Sequence, residues 1–277
     1  HSAVKFIRYQ DHPLEPEISE AKRAANIATI LDPDSSLKGN GVVVLIFDNS
    51  KIKSNRDFGT RLIPIVSDCC NQQNHATHVA GVLGGGGTNS AYQGVAPMVK
   101  ILSYGSDTDM NDEQLWAEST GDLASSFTQA YTELRVQGID DRIDLMNISL
   151  GQPTDKKGWN CKYHGDYTAT SQLLDKFVYG YSNLNDQYKK IIITKSAGNE
   201  GLGGCIGGKD YDDPFGTIAS PASAKNPIVV GSIDSDLYQE NRPDVISFFS
   251  SVGPTDDGRI KPDLVAPGAH ESINDYP

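Results

Sequence analysis

The chain has 277 residues, 38% of them hydrophobic, with 24 basic against 36 acidic residues and a net charge of −12. That balance opposes non-specific nucleic-acid binding, which needs basic surface, and no run of 18 apolar residues is present to span a membrane. The apolar fraction and the 27 glycines suit one large, loop-rich α/β domain over residues 1–277, and four cysteines are too few for a disulfide-built scaffold.

In chain order, Ala21, Ala24, Ala25, Ala28 and Leu31 recur at near-helical spacing and Asp32-Pro33 stops them, which predicts a surface helix over residues 18–31. Gly41 to Phe47 is a continuous apolar, β-branched run, the pattern of a strand buried on both faces. It puts Asp48 at the carboxyl edge of a sheet, where open α/β proteins place their sites. Read alone, Asp48 is a solvated strand-end carboxylate. Asn74-His75-Ala76-Thr77-His78 then leads into Val79 to Leu83, which predicts a helix with its polar end at a site and its apolar end in a core. His75 and His78, three apart, share a face of it. A carboxylate at a strand end and an imidazole at a helix start can meet above the sheet.

Gly84 to Gly87 reads as a turn, because no Gly-Lys-Ser/Thr follows to make a phosphate loop. Val99 to Ser103 is the next strand. Leu123, Phe127, Ala130 and Leu134 form a core-packing helical stripe ended by Gly138. Ile143 to Ser149 is a strand, residues 152–165 a loop insertion, and Leu173, Leu174, Phe177 and Tyr181 mark a helix. Ile191 to Thr194 is a buried strand that runs into Lys195-Ser196-Ala197-Gly198-Asn199. Residues 201–219 form a second insertion, whose Asp210, Asp212 and Asp213 are either solvated or a source of hard oxygen ligands for calcium. Pro227 to Ile233 is a further strand. Cys161 and Cys205 each follow a candidate site block and can form a bridge; Cys69-Cys70 reads as reduced thiols or as partners of other sequence.

Five blocks in order resemble the subtilisin-like serine proteases, the subtilase family. They are Asp48 at its strand end, His75-Ala76-Thr77-His78-Val79-Ala80-Gly81, Met146 to Gly151, Ser196 to Gly201, and Ile260 to Gly268. The block Ile246 to Pro254 is similar as well. The resemblance implies an α/β fold with a mostly parallel central sheet and helices on both faces. It implies a serine endopeptidase with Asp48 and His75 as two triad members and Asn199 as the oxyanion donor. Ser149, Leu150 and Gly151 would be one wall of the substrate pocket and Ser196, Ala197 and Gly198 the other, with residues 104–111 along the groove. No cofactor is implied for catalysis, a structural calcium is compatible, the substrates would be polypeptides, and the setting secreted or extracytoplasmic.

Two departures stand out. The family follows its Asp with Ser or Thr and then Gly, whereas Asn49-Ser50 follow here, so the turn after Asp48 must accept a side chain. The serine motif, of Gly-Thr-Ser-Met-Ala-x-Pro type, is not among residues 1–277. In the family that serine heads an apolar helix through the core. The expectation is therefore an incomplete catalytic domain, inactive alone, with serine and helix supplied by a segment or second chain beyond residue 277. The competing reading is a pseudoprotease that keeps a peptide groove without chemistry. A zinc reading through His75, His78 and Asp48 lacks the helical Glu general base.

Overall fold

The computed structural model describes residues 37–48, 50–64, 74–88, 92–105, 128, 132, 136, 143–151, 164–180, 190–201, 215–234 and 245–269. The predicted helix over 18–31, all four cysteines, the acidic cluster Asp210–Asp213 and the stripe Leu123, Phe127, Ala130 and Leu134 lie outside them; Thr128, Thr132 and Val136 are helical.

Among the described residues eight strands form one sheet: β1 (Val43–Asp48), β2 (Leu62–Pro64), β3 (Lys100–Gly105), β4 (Leu145–Ile148), β5 (Ile192–Ser196), β6 (Ile228–Asp234), β7 (Val245–Ile246) and β8 (Leu264–Ala269). Two helices are described at full length, α1 (Asn74–Gly84) and α2 (Ala169–Tyr179). The strand order is β2-β3-β1-β4-β5-β6-β7, with β8 also on β6. Every pairing is parallel except that of β6 with β7. β1 is flanked by β3 on one side and β4 on the other, so the strand order reverses beside it. Asp48 ends β1 at that reversal, where an open α/β sheet leaves a crevice.

β1 is buried along its whole length, as its unbroken apolar run predicts. Val43, Leu45 and Phe47 join Leu102, Met146, Ile148 and Ile193 in a core that includes Leu174 and Phe177 of α2. Val44 and Ile46 turn the other way and join Ile101 with Ala76 and Ala80 of α1. Around β1 the sheet is thus covered from both faces, by α1 on one and α2 on the other. Small residues let α1 lie close: Ala76, Ala80 and Gly84 are its buried positions, and a Cβ on Gly84 would sit 2.9 Å from Ile101 Cδ1.

Several boundaries differ from expectation. α2 begins at Ala169, a turn before Leu173, because the Thr168 hydroxyl accepts from the Ser171 N–H at 3.3 Å. It stops before Tyr181 because Gly180 takes the left-handed conformation (φ 81°) and donates its N–H to the Phe177 carbonyl. The short strands β2 and β7 carry no alternating signal long enough to read. β8 overlaps the end of the block Ile260 to Gly268 and runs one residue past it, where Pro262 and Pro267 obscure a strand pattern.

Candidate functional site

The carboxylate of Asp48 is fully buried at the end of β1. His75, the second residue of α1, points at it: Nδ1 lies 2.8 Å from Asp48 Oδ1 and 3.0 Å from Oδ2. A hydrogen bond to a carboxylate favours the imidazolium, and the hydrogen bond that His75 donates to Asp48, more than the charge of Asp48, holds the His75 pKa above the ordinary value despite partial burial. The imidazole is 40% exposed. Its Nδ1 faces the buried carboxylate, so Nε2 is the nitrogen left for another molecule. The two residues the sequence placed at a strand end and a helix start are brought together.

The start of α1 is fixed from the segment after Asp48. The Lys53 N–H donates to Thr77 Oγ1 at 2.9 Å, and Lys53 Nζ donates to Asn74 Oδ1 at 2.7 Å. Thr77 inside the histidine block is therefore a tether, a role its hydroxyl allows but its position in the sequence does not announce. The serine in place of glycine is accommodated. Ser50 is buried against Gly105, the register partner of Asp48, and a Cβ on Gly105 would lie 2.7 Å from the Ser50 carbonyl carbon. The missing side chain at 105 makes the room that Ser50 takes. Ser50 Oγ is buried with no hydrogen-bond partner among the described residues. His78 is exposed one turn beyond His75, and among the described residues no group of three or more His, Cys, Asp or Glu is arranged to hold a metal ion.

Asn199 lies in the loop that leaves β5. That loop is pinned from the segment before Pro254: the Ser251 N–H donates to the Gly198 carbonyl at 3.0 Å, the Glu200 N–H to Ser251 Oγ at 3.0 Å, and the Gly201 N–H to the Phe249 carbonyl at 2.9 Å. Gly198 has φ 120°, and a Cβ there would meet Ser251 Oγ at 2.7 Å, so both conformation and space require glycine. The Asn199 side chain is exposed and donates to no described residue. Ser149 and Leu150 are half-buried and Gly151 exposed at the end of β4. Ser196 ends the neighbouring strand β5, in parallel register with β4. Ala197 is buried against Ile218, Ala222 and Val229. The two candidate walls thus leave neighbouring parallel strands at the same, carboxyl edge of the sheet.

Two cationic side chains do work the sequence reading missed. Arg61 reaches under α1: Nη1 donates to the Gly84 carbonyl at 2.8 Å and the Val99 carbonyl at 3.3 Å, and Nη2 to the Asp57 carbonyl. One guanidinium collects three backbone acceptors from three segments, and only its place at the end of a short 3₁₀ turn, between the Asp48 and His75 blocks, marks it in the sequence. Lys195 is 1% exposed inside β5, with Nζ donating to the Ser196 carbonyl and hydroxyl. Its signal was available, as a lone charge closing the run Ile191 to Thr194.

A profile described as the Subtilase family matches residues 49–276. The chain belongs to the subtilase family. The match begins one residue after Asp48, so it takes in His75, both candidate walls and Asn199. Among the relatives of this subtilase is the serine protease AprX of Bacillus subtilis, 26% identical over 273 residues, 95% of this chain and 54% of AprX. Another is subtilisin DY of Bacillus licheniformis, 28% identical over 78% of this chain and 62% of that protein. The chain therefore spans little more than half the length of these relatives. The fold matches the CspB protease of Clostridium perfringens with a TM-score of 0.61 at 15% identity, over 90% of this chain and 79% of that one. The MycP3 protease of a type VII secretion system matches at 0.54 and 17% identity, over 90% and 64%. At such identities the likeness is one of fold.

Proposed function

We propose that this subtilase is a serine endopeptidase in which residues 1–277 supply the base, its orienting carboxylate and the oxyanion donor, and polypeptide outside them supplies the nucleophile. The observation that carries the reading is the Asp48–His75 pair: a fully buried carboxylate 2.8 Å from Nδ1 of an imidazole that keeps a solvent-facing edge. That arrangement holds one tautomer, leaving Nε2 to accept a proton.

In the mechanism, His75 Nε2 takes the proton of a serine hydroxyl as its oxygen attacks the scissile carbonyl. Asp48 stabilises the imidazolium so formed. The negative charge that develops on the carbonyl oxygen is met by the Asn199 amide, whose freedom from other described partners suits that task. His75 then returns the proton to the leaving amine, and water releases the acyl group by the same steps. In a subtilisin, removing such a donor costs about a hundred- to a thousandfold in kcat, a magnitude that belongs to that enzyme and not to this chain.

The nucleophile's place is supported by the sheet. On the α1 face, beyond α1 itself, Ile192 of β5 is 55% exposed, Leu264 of β8 48% and Ile228 of β6 38%. An apolar helix laid there, headed by a serine, would cover them and bring its first turn to His75. Polypeptide substrates would lie as an extended strand along Ser149–Gly151, held by main-chain hydrogen bonds.

The experiment is fluorophosphonate labelling of the full-length protein with parallel assay on an unselective peptide pool. Labelling and cleavage that both vanish in His75→Ala support the reading. A folded full-length protein that neither labels nor cleaves overturns it, and leaves a peptide-binding pseudoprotease.

A further inference from the structure

Among the described residues two lysines are buried, and they are treated differently. Lys261, 4% exposed, donates from Nζ to Asp263 Oδ2 at 2.7 Å and to the carbonyls of Pro227 at 3.1 Å and Lys225 at 3.4 Å. All three of its N–H donors have acceptors, and one acceptor is an anion. Lys195 leaves β5 on the α2 face, between Ile193 of one apolar cluster and Ala197 of another. Its chain bends forward to the strand end, where Nζ donates to the Ser196 carbonyl at 2.6 Å and the Ser196 hydroxyl at 2.9 Å. Among the described residues it meets no carboxylate, and burial alone pulls its ammonium down to about 7.

Burying a cation without an anion is costly, and an aliphatic residue would fill the same strand position without that cost. The question is what anion Lys195 is kept for. Both of its acceptors belong to Ser196, the first residue of the candidate wall Ser196–Gly198. One of the three ammonium donors meets no acceptor among the described residues, and the Ser196 hydroxyl, accepting from Nζ, keeps its own proton to donate. Two donors therefore converge at the wall where a substrate side chain would enter.

We propose that Lys195, acting with the Ser196 hydroxyl, gives the pocket between Ser149–Gly151 and Ser196–Gly198 a preference for an acidic side chain on the acyl side of the scissile bond. This rests on the endopeptidase reading above. The substrate carboxylate takes the place that Asp263 holds for Lys261, and its arrival keeps the ammonium charged. The pocket then reads glutamate or aspartate by a charge-assisted hydrogen bond in a desolvated site, the setting in which such bonds discriminate most strongly.

The test uses the full-length protein and peptides identical except for Glu, Gln, Leu or Lys at that residue. Wild type is expected to cleave the Glu peptide with kcat/KM about tenfold or more above the Gln peptide. Lys195→Met is expected to bring that ratio to about one while cleaving the Leu peptide at least as well as wild type. Lys195→Arg, which keeps the charge, is expected to retain most of the preference. A wild-type ratio of one or less overturns the proposal even if the methionine variant fails to fold, and so does an unchanged ratio in Lys195→Met. Cleavage of the Leu peptide without preference for Glu removes the role of Lys195 and leaves the protease reading standing. Absence of all cleavage and labelling removes both.

Discussion

The two halves of the sheet differ in how they meet solvent. β1 and its neighbours β3 and β4 are enclosed: Leu45, Ile46, Ile101, Leu102 and Met146 are fully buried, between α1 on one face and α2 on the other. β5 and β6 are enclosed on one face only, and β8, with Leu264 and Val265 both exposed, is enclosed on neither. Ile193 and Val229 are buried, while Ile192, Ile228 and Leu264 look out on the α1 side. The same kind of apolar strand thus lies on both sides of β4, and only one half has its second layer. Asp48 and His75 belong to the enclosed half, Ser196 and Asn199 to the half-open one. The candidate site sits on the seam, which is why its base is complete and its groove is open.

The difference can be broken at several points. The largest effect is expected on chemistry in the full-length protein. His75→Ala should lower kcat by about a million-fold and Asp48→Asn by about ten-thousandfold, magnitudes known from other serine proteases. Single-turnover cleavage on a fluorogenic peptide reads both. Equal activity in either variant would remove the pair from the mechanism.

Packing comes next. Leu45→Ala should cost about 2–5 kcal/mol of stability wherever it is measured, because a buried methyl cluster leaves a cavity. Ile192→Ala sharpens the comparison. At a site as exposed as this one the change should cost less than about 0.5 kcal/mol. If a second layer covers β5 in the full-length protein, the cost there should rise into the range of Leu45→Ala. Urea unfolding of the full-length wild type and both variants distinguishes these outcomes, and a negligible cost for Ile192→Ala would show that no second layer forms.

A smaller effect is expected at Arg61. Replacing it by methionine keeps the stem and leaves the carbonyls of Gly84, Val99 and Asp57 without their donor, at about 1–3 kcal/mol. The loss should appear as a lower Tm that added calcium does not restore. Restoration by calcium would mean that the three carbonyls can also gather a metal ion.

The smallest expected effect is on pH dependence. Asp48 raises the pKa of His75, so the neutral base forms only as pH climbs above the usual histidine value. The acid limb of kcat/KM should therefore lie above about 6.5, and the residual activity of Asp48→Asn should have its limb at lower pH. The stability contribution runs the opposite way: it is fully present below the unfolded-state histidine pKa and fades as pH rises through the higher folded value. An acid limb that Asp48→Asn leaves in place would mean that another group sets it.

Several features were legible from order alone. The run Gly41 to Phe47 can only be buried on both sides, because seven successive apolar residues leave neither face of a strand polar, and that places Asp48 at the sheet edge. The histidine block could be read as a helix start, because its apolar residues begin where its polar ones end. Pairing Asp48 with His75 needed only that these two ends meet above a parallel sheet, which the reversal of strand order beside β1 arranges. Tertiary structure decided the rest. Whether Ile192 is covered depends on a layer far from it in sequence. Lys195 becomes a buried lysine with no carboxylate among the described residues only once α2 and the Ile218–Ala224 segment close over its face of β5. Arg61 becomes a clamp only when three segments bring their carbonyls to it. Periodicity describes what one segment presents, and these outcomes depend on what several distant segments place opposite it.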